Sequence, residues 1–322
     1  MSSSQIHDLP ERFEVMRRQD ETVYNCEDYL APEFQQRLRS QQHPAVSALV
    51  ADPISSLSSV TSASSSSSGR GLDLEWRDKI VNWCYQVVDH FNFSREVVVV
   101  AMSYLDRYLC KKYVNKRTFQ LVAMSSLHLA CKLLDQKKLR MSSLLELSRG
   151  YFKAEHMIAM EESILSKLGY LVHPPTQLCF VRHLFLLLPH NCCSPHVRHG
   201  MEEAAKFMIE LSVFRYDLVT VRKSSVGLAA ILNAFEDVDE YRFTAQARQH
   251  FFDYVRHYAG LDPENDEVRY CRETLKQLYL EKDPEEPETL ADSSRDSTVS
   301  PVSVAAFGAY DGQHHQTQSG FC

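Results

Sequence analysis

The segment TFQLVAMSSLHLACKLL, from Thr118 to Leu134, is apolar or small on almost every side. A helix with such a surface is stable only when other helices surround it. Ala123, Ser125, Ser126 and Ala130 would let those neighbours approach closely. The flanking sequence supplies them. From Trp76, the residues Ile80, Trp83, Cys84, Val87, Val88 and Phe91 recur at the i, i+3, i+4, i+7 spacing of an amphipathic helix. Ser94 can cap a second helix whose stripe runs through Val97, Val98, Ala101, Tyr104, Leu105, Tyr108 and Leu109. The VVVV at its start would favour a strand, but a 3.6-residue period over four turns outweighs that local preference. A short helix near Ser143 to Ser148 follows, then a longer one through Met157, Ile158, Glu161, Ile164, Leu165 and Leu168, with Gly169 as its C-terminal cap. Pro174 and Pro175 prevent further helix and mark the best domain boundary.

Beyond that boundary the theme repeats. Helices are expected near Gln177 to Leu188, Pro195 to Phe214, Ser224 to Phe235, Thr244 to Tyr258 and Asp266 to Leu280. Placing Leu228 over Leu121 aligns VRKSSVGLAA with VNKRTFQLVA at an offset of 107 residues, a weak internal repeat of one bundle type. No alternating strand pairs occur, so the expected class is all-α: two consecutive five-helix bundles, over 74–173 and 174–281. An arm over 1–73 precedes them. It reads as polar to residue 25, then as a helix from near Glu27 with Tyr29, Leu30, Phe34 and Leu38 on one side, then as a Ser-rich linker between Ser55 and Ser68. The stretch 282–322, acidic and then polar, is expected to be disordered.

Hydrophobic residues at 44% and charged residues at 24% are close to globular averages, so most of the chain should fold. A net charge of -7 argues against nucleic acid as the main ligand, because phosphate binding needs clustered Lys and Arg. Nine cysteines, an odd number with no C-x-x-C spacing, indicate neither a disulfide framework nor a zinc ribbon. The N-terminal MSSSQIHDLPERFEVMRRQD is too polar for a secretory signal, and no apolar run reaches the roughly 20 residues of a membrane span. These features read as a soluble protein of a reducing compartment, with no membrane or nucleic-acid partner.

Phosphate-cradling glycine motifs, H-E-x-x-H and the nucleophile elbow G-x-S-x-G are all missing, so no catalytic residue is assigned and no enzyme is expected. The best metal candidate gathers His190, Cys192, Cys193, His196 and His199 within ten residues. Adjacent cysteine side chains point apart and no structural spacing is met, so an ordinary loop and helix start are preferred, with neither metal nor cofactor.

Several segments taken together resemble the cyclin family. WRDKIVNWCYQVVDHF is similar to the opening helix of a cyclin box, AMSYLDRYL to its second helix, QLVAMSSLHLACKLL to its third and AEHMIAMEESILSKLGY to its fifth. Pro174, Pro175 and Thr176 fall where cyclins cross to their second box. The likeness is specific from Trp76 to Phe180 and loose beyond it. It implies a regulatory subunit that binds and activates a cyclin-dependent protein kinase in cell-cycle control, in nucleus and cytoplasm. It also places Lys132 and Glu161 at the family's paired kinase-binding positions. From the residues alone both read otherwise: Lys132 complements a helix C-terminus and snorkels to water, and Glu161 is solvated at the edge of its stripe. If the pair is desolvated against a partner, losing one member costs about 3–5 kcal/mol.

The resemblance implies a second surface, where cyclins dock short basic-hydrophobic motifs of substrates and inhibitors. The matching residues are Trp76, Arg77, Ile80, Trp83 and Gln120, with plain core packing as the alternative. Trp76 replaces the usual Met, Lys79 stands where an apolar residue is common, and Gln86 removes an acidic contact. The cluster Lys111, Lys112, Lys116 and Arg117 reads as a solvated face. The stretch Glu281 to Ser303 resembles the destabilising tails of G1-type cyclins, with Ser300 before Pro301 as a candidate phosphosite and a ubiquitin ligase as an implied partner. No mitotic destruction box or L-x-C-x-E motif appears, and the Y-L-D-R-Y-L phrase leans toward the G1, D-like side. A cyclin-fold transcription factor, a helical scaffold that regulates no kinase, and an enzyme with an unrecognised helical site are the competing readings.

Overall fold

No strand occurs among the described residues, which are 8–41, 74–189 and 191–282 of the computed structural model. The chain forms two compact units: residues 32–41 with 74–167, and residues 8–31 with 168–282. The Ser-rich stretch and the tail with Ser300 lie outside the described residues.

Two helices come from the arm, α1 (Leu9–Glu21) and α2 (Pro32–Gln41). The first unit combines α2 with a five-helix bundle: α3 (Leu74–His90), α4 (Glu96–Leu109), α5 (Lys116–Leu134), α6 (Met141–Leu147) and α7 (Ala154–Lys167). As its composition demands, α5 is the central helix. Every residue from Thr118 to Cys131 is buried, and α5 packs against α3, α4 and α7. The Asn115 side chain starts it by accepting from the Thr118 N–H at 2.8 Å. Burial also explains why VVVV is helical, since Val97 to Val100 are all enclosed and packing overrides the β preference of valine. Ser94 holds that helix start through its Oγ, which accepts from the Glu96 N–H at 3.3 Å.

The second bundle comprises α8 (Gln177–Phe185), α9 (Pro195–Ser212), α10 (Lys223–Glu236), α11 (Ala245–Tyr254) and α12 (Asp266–Lys282). A single π turn, Val255–Ala259, extends α11. Thr176, Ser194 and Thr244 cap the first, second and fourth of these helices through their side chains. Here α10 is central, buried from Ser224 to Phe235. Phe235 lies edge-on to Phe243 at 4.7 Å and to Phe251 at 5.0 Å. Gly227 is required for close approach, because a Cβ there would lie 2.9 Å from the Gln177 carbonyl and 3.1 Å from the Phe180 Cβ of α8. Two central helices buried on all sides, one per bundle, account for the internal repeat.

Two expectations for the arm are corrected. Residues 9–21 are helical rather than merely polar, although Leu9 and Phe13 are the only buried apolar residues of α1. Tertiary contacts hold it in place of an apolar stripe. Arg17 donates to the Ala259 carbonyl at 3.2 Å, and Asp20 accepts from the Ser224 backbone N–H at 3.1 Å and its hydroxyl at 3.3 Å. Asp20 thus caps α10 from another helix. The second correction is that the helix expected from Glu27 begins at Pro32, at the position proline favours. Tyr29 and Leu30 precede it, with the Tyr29 ring edge-on to Tyr216 and the Leu30 N–H donating to the Tyr216 hydroxyl.

Candidate functional site

Lys132 lies in the last turn of α5 and Glu161 in the middle of α7, and the packing of these helices brings them together. The Lys132 ammonium sits 2.6 Å from Glu161 Oε2. A third residue joins them: His128, one turn before Lys132, places Nδ1 2.5 Å from Glu161 Oε1 and Nε2 3.1 Å from the Leu139 carbonyl oxygen. The side chains of Glu161 and His128 are 12% and 6% exposed, whereas Lys132 is 39% exposed. Burial works to raise the Glu161 pKa, but hydrogen bonds from His128 and Lys132, together with their charge, outweigh it and hold the carboxyl below the ordinary glutamate range. Around this anchor the surface is apolar, with Leu133 and Leu134 exposed at the end of α5 and Ile158 exposed one turn before Glu161. A fixed charge bordered by exposed aliphatic side chains can seat a partner segment that supplies both a polar group and an apolar face.

His128 carries no motif, so sequence reasoning passed over it. Its one signal was position, as a polar ring inside the most apolar segment and four residues before Lys132.

The five residues expected as a docking patch are all buried. Ile80 and Trp83 belong to the core of the first bundle. Arg77 Nε and Nη2 donate to the Asp106 carboxylate at 3.2 and 2.9 Å, a buried bidentate pair tying α3 to α4. Asp106 was missed, although a charge inside the apolar stripe of α4 marks it. Trp76 lies beneath the Lys116 ammonium, 4.5 Å from the ring centroid, and Gln120 is enclosed in α5. In the basic cluster, Arg117 stacks on the Tyr151 ring at 4.7 Å.

Of the metal candidates, His190 lies outside the described residues. The Cys192 and Cys193 sulfurs are 3.8 Å apart, and burial with the neighbouring sulfur pushes the Cys192 thiol up to about 12. Ser194 caps α9, and Arg198 reaches back to donate to the Leu188 and Phe185 carbonyls.

Comparison with known proteins follows the same geometry. The family description "Cyclin, N-terminal domain" matches residues 54–173, and "Cyclin, C-terminal domain" matches 175–304. Cyclin-A1-4 of Oryza sativa subsp. japonica is 27% identical over 165 residues, 51% of this chain and 46% of the relative. Putative cyclin-A3-1 of Arabidopsis thaliana is 25% identical over 211 residues, 64% of this chain and 55% of the relative. The chain thus spans about half the length of these curated relatives. A viral cyclin from herpesvirus saimiri, a solved structure, shares the fold with a TM-score of 0.53 at 19% identity, over 66% of this chain and 90% of that one. With two tandem all-helical bundles and a match to both halves of the family description, the chain belongs to the cyclin family.

Proposed function

We propose that this protein is a non-catalytic regulatory subunit that binds a cyclin-dependent protein kinase through the end of α5 and the middle of α7 and favours its active conformation. The observation that carries this reading is the buried Glu161 carboxylate, held by Lys132 and His128 and bordered by exposed Leu133 and Ile158. On this reading the complex desolvates Lys132, which in the free protein is still wetted and contributes to stability only about 1 kcal/mol or less. Activation follows from differential affinity: to move a kinase from 1:99 to 99:1 in favour of the active form, the subunit must bind that form about 10⁴-fold better.

Relatives named as A-type cyclins, and Cyclin-B1-1 of Oryza sativa subsp. japonica at 26% identity over 189 residues, support a role in the cell cycle, with action in nucleus and cytoplasm as part of the proposal.

The test is a pull-down from native cell extract with wild type and a Lys132→Ala, Glu161→Ala double variant, followed by identification of the bound kinase and a histone-phosphorylation assay. An active proline-directed kinase recovered with wild type alone is the expected outcome. Recovery of the same kinase with both proteins, or of none with wild type, overturns the assignment.

A further inference from the structure

His128 is the most constrained polar group of the candidate site, and the function proposed above leaves the state of its ring undetermined. Both ring nitrogens face acceptors: the Glu161 carboxylate at 2.5 Å and a main-chain carbonyl, that of Leu139, at 3.1 Å. A carbonyl oxygen cannot donate, so Nε2 must carry a hydrogen. A neutral imidazole has only one N–H, and with Nε2 protonated its Nδ1 would turn a lone pair toward the carboxylate. Two good hydrogen bonds therefore require one proton more than a neutral ring and an ionised carboxylate hold between them. The Lys132 ammonium on the other oxygen favours ionised Glu161, which leaves that proton on the ring. The groups around His128 agree. Glu161 faces it from α7, with Lys132 of its own helix beyond that carboxylate, and the segment before α6 contributes only the Leu139 carbonyl. Among the described residues no charged group of α3 or α4 hydrogen-bonds to the ring.

We propose that His128 is the third member of the Glu161 site, a positioning residue whose second ring proton fixes the carboxylate for the partner. The proposal deepens the kinase-binding reading and rests on it for the identity of that partner. A ring with a single N–H would have to choose between Leu139 and Glu161, leaving the carboxylate steered by the half-exposed Lys132 alone.

Two measurements on the full chain test this. Nitrogen NMR of histidine-labelled protein should show one imidazole with both ring nitrogens protonated at neutral pH, its signal absent from His128→Asn. Affinity for the kinase isolated in the pull-down should then separate two variants. In His128→Asn the amide nitrogen can take the Nδ1 place and donate, so affinity should be retained. In His128→Leu, which has no donor, affinity should fall at least tenfold at neutral pH. A singly protonated His128 at neutral pH, or wild-type affinity in His128→Leu, overturns the proposal. If wild type captures no kinase, the kinase reading fails, while the NMR measurement still decides where the proton lies.

Discussion

Arg77 and Asp106 show what one buried pair does for the first bundle. Each is nearly inaccessible, and the guanidinium fork matches both carboxylate oxygens. Removing either member leaves the other's buried charge without its bidentate partner. Arg77→Ala should therefore lower stability by about 3–5 kcal/mol, read from denaturant unfolding. Replacing both, Arg77→Met with Asp106→Leu, should recover most of that loss, because two apolar groups of similar size need no hydrogen bonds. A single variant within 1 kcal/mol of wild type would show that water reaches the pair. Neither residue was legible as a partner of the other. The sequence shows two charges in amphipathic stripes 29 residues apart, and only the crossing of α3 and α4 makes them meet. Glu161 was more legible, because it interrupts the stripe of α7.

Helix α1 is the element that local sequence least explains. With two buried apolar residues it has little drive to fold alone, and isolated helices of 13 residues are marginal in water. Its helical state is set by docking on α10 and the π turn, with Asp20 supplying a cap that α10 lacks from its own N-cap residue, Arg222. Asp20→Ala should cost about 0.5–2 kcal/mol. It should also raise hydrogen exchange of α1 selectively, leaving the five helices of the second bundle protected. Equal loosening of α8 to α12 would mean that α1 is integral to that core. The central helices are the opposite case. Both α5 and α10 were readable at once, since an almost wholly apolar or small-residue surface admits no exposed location.

Acid should act on the Glu161 site and on the Asp20 cap with opposite signs. Glu161 has its folded pKa below the ordinary 4.5, so its ionisation stabilises the first unit above that value, and the contribution is lost as pH falls through the folded value. Asp20 is displaced upward from 3.8, mainly by burial, so its charge weighs against the second unit at neutral pH and is relieved as pH falls through the raised value. Segment-resolved hydrogen exchange between pH 6 and 3 should show α5 and α7 losing protection at the acid end, with α1 holding its own. Loss of protection in α1 first would contradict this order. By itself the sequence determined the helical class, the five-plus-five division and the central place of α5 and α10. Those follow from hydrophobic period and from burial that local residues demand wherever they are placed. Only the tertiary structure decided that Arg77 serves Asp106, that the docking-patch residues are enclosed, that α1 caps α10, and that His128 completes the Glu161 site. Each is a contact between residues distant in sequence, and no period or propensity encodes which polar side chain will meet which across a helix crossing.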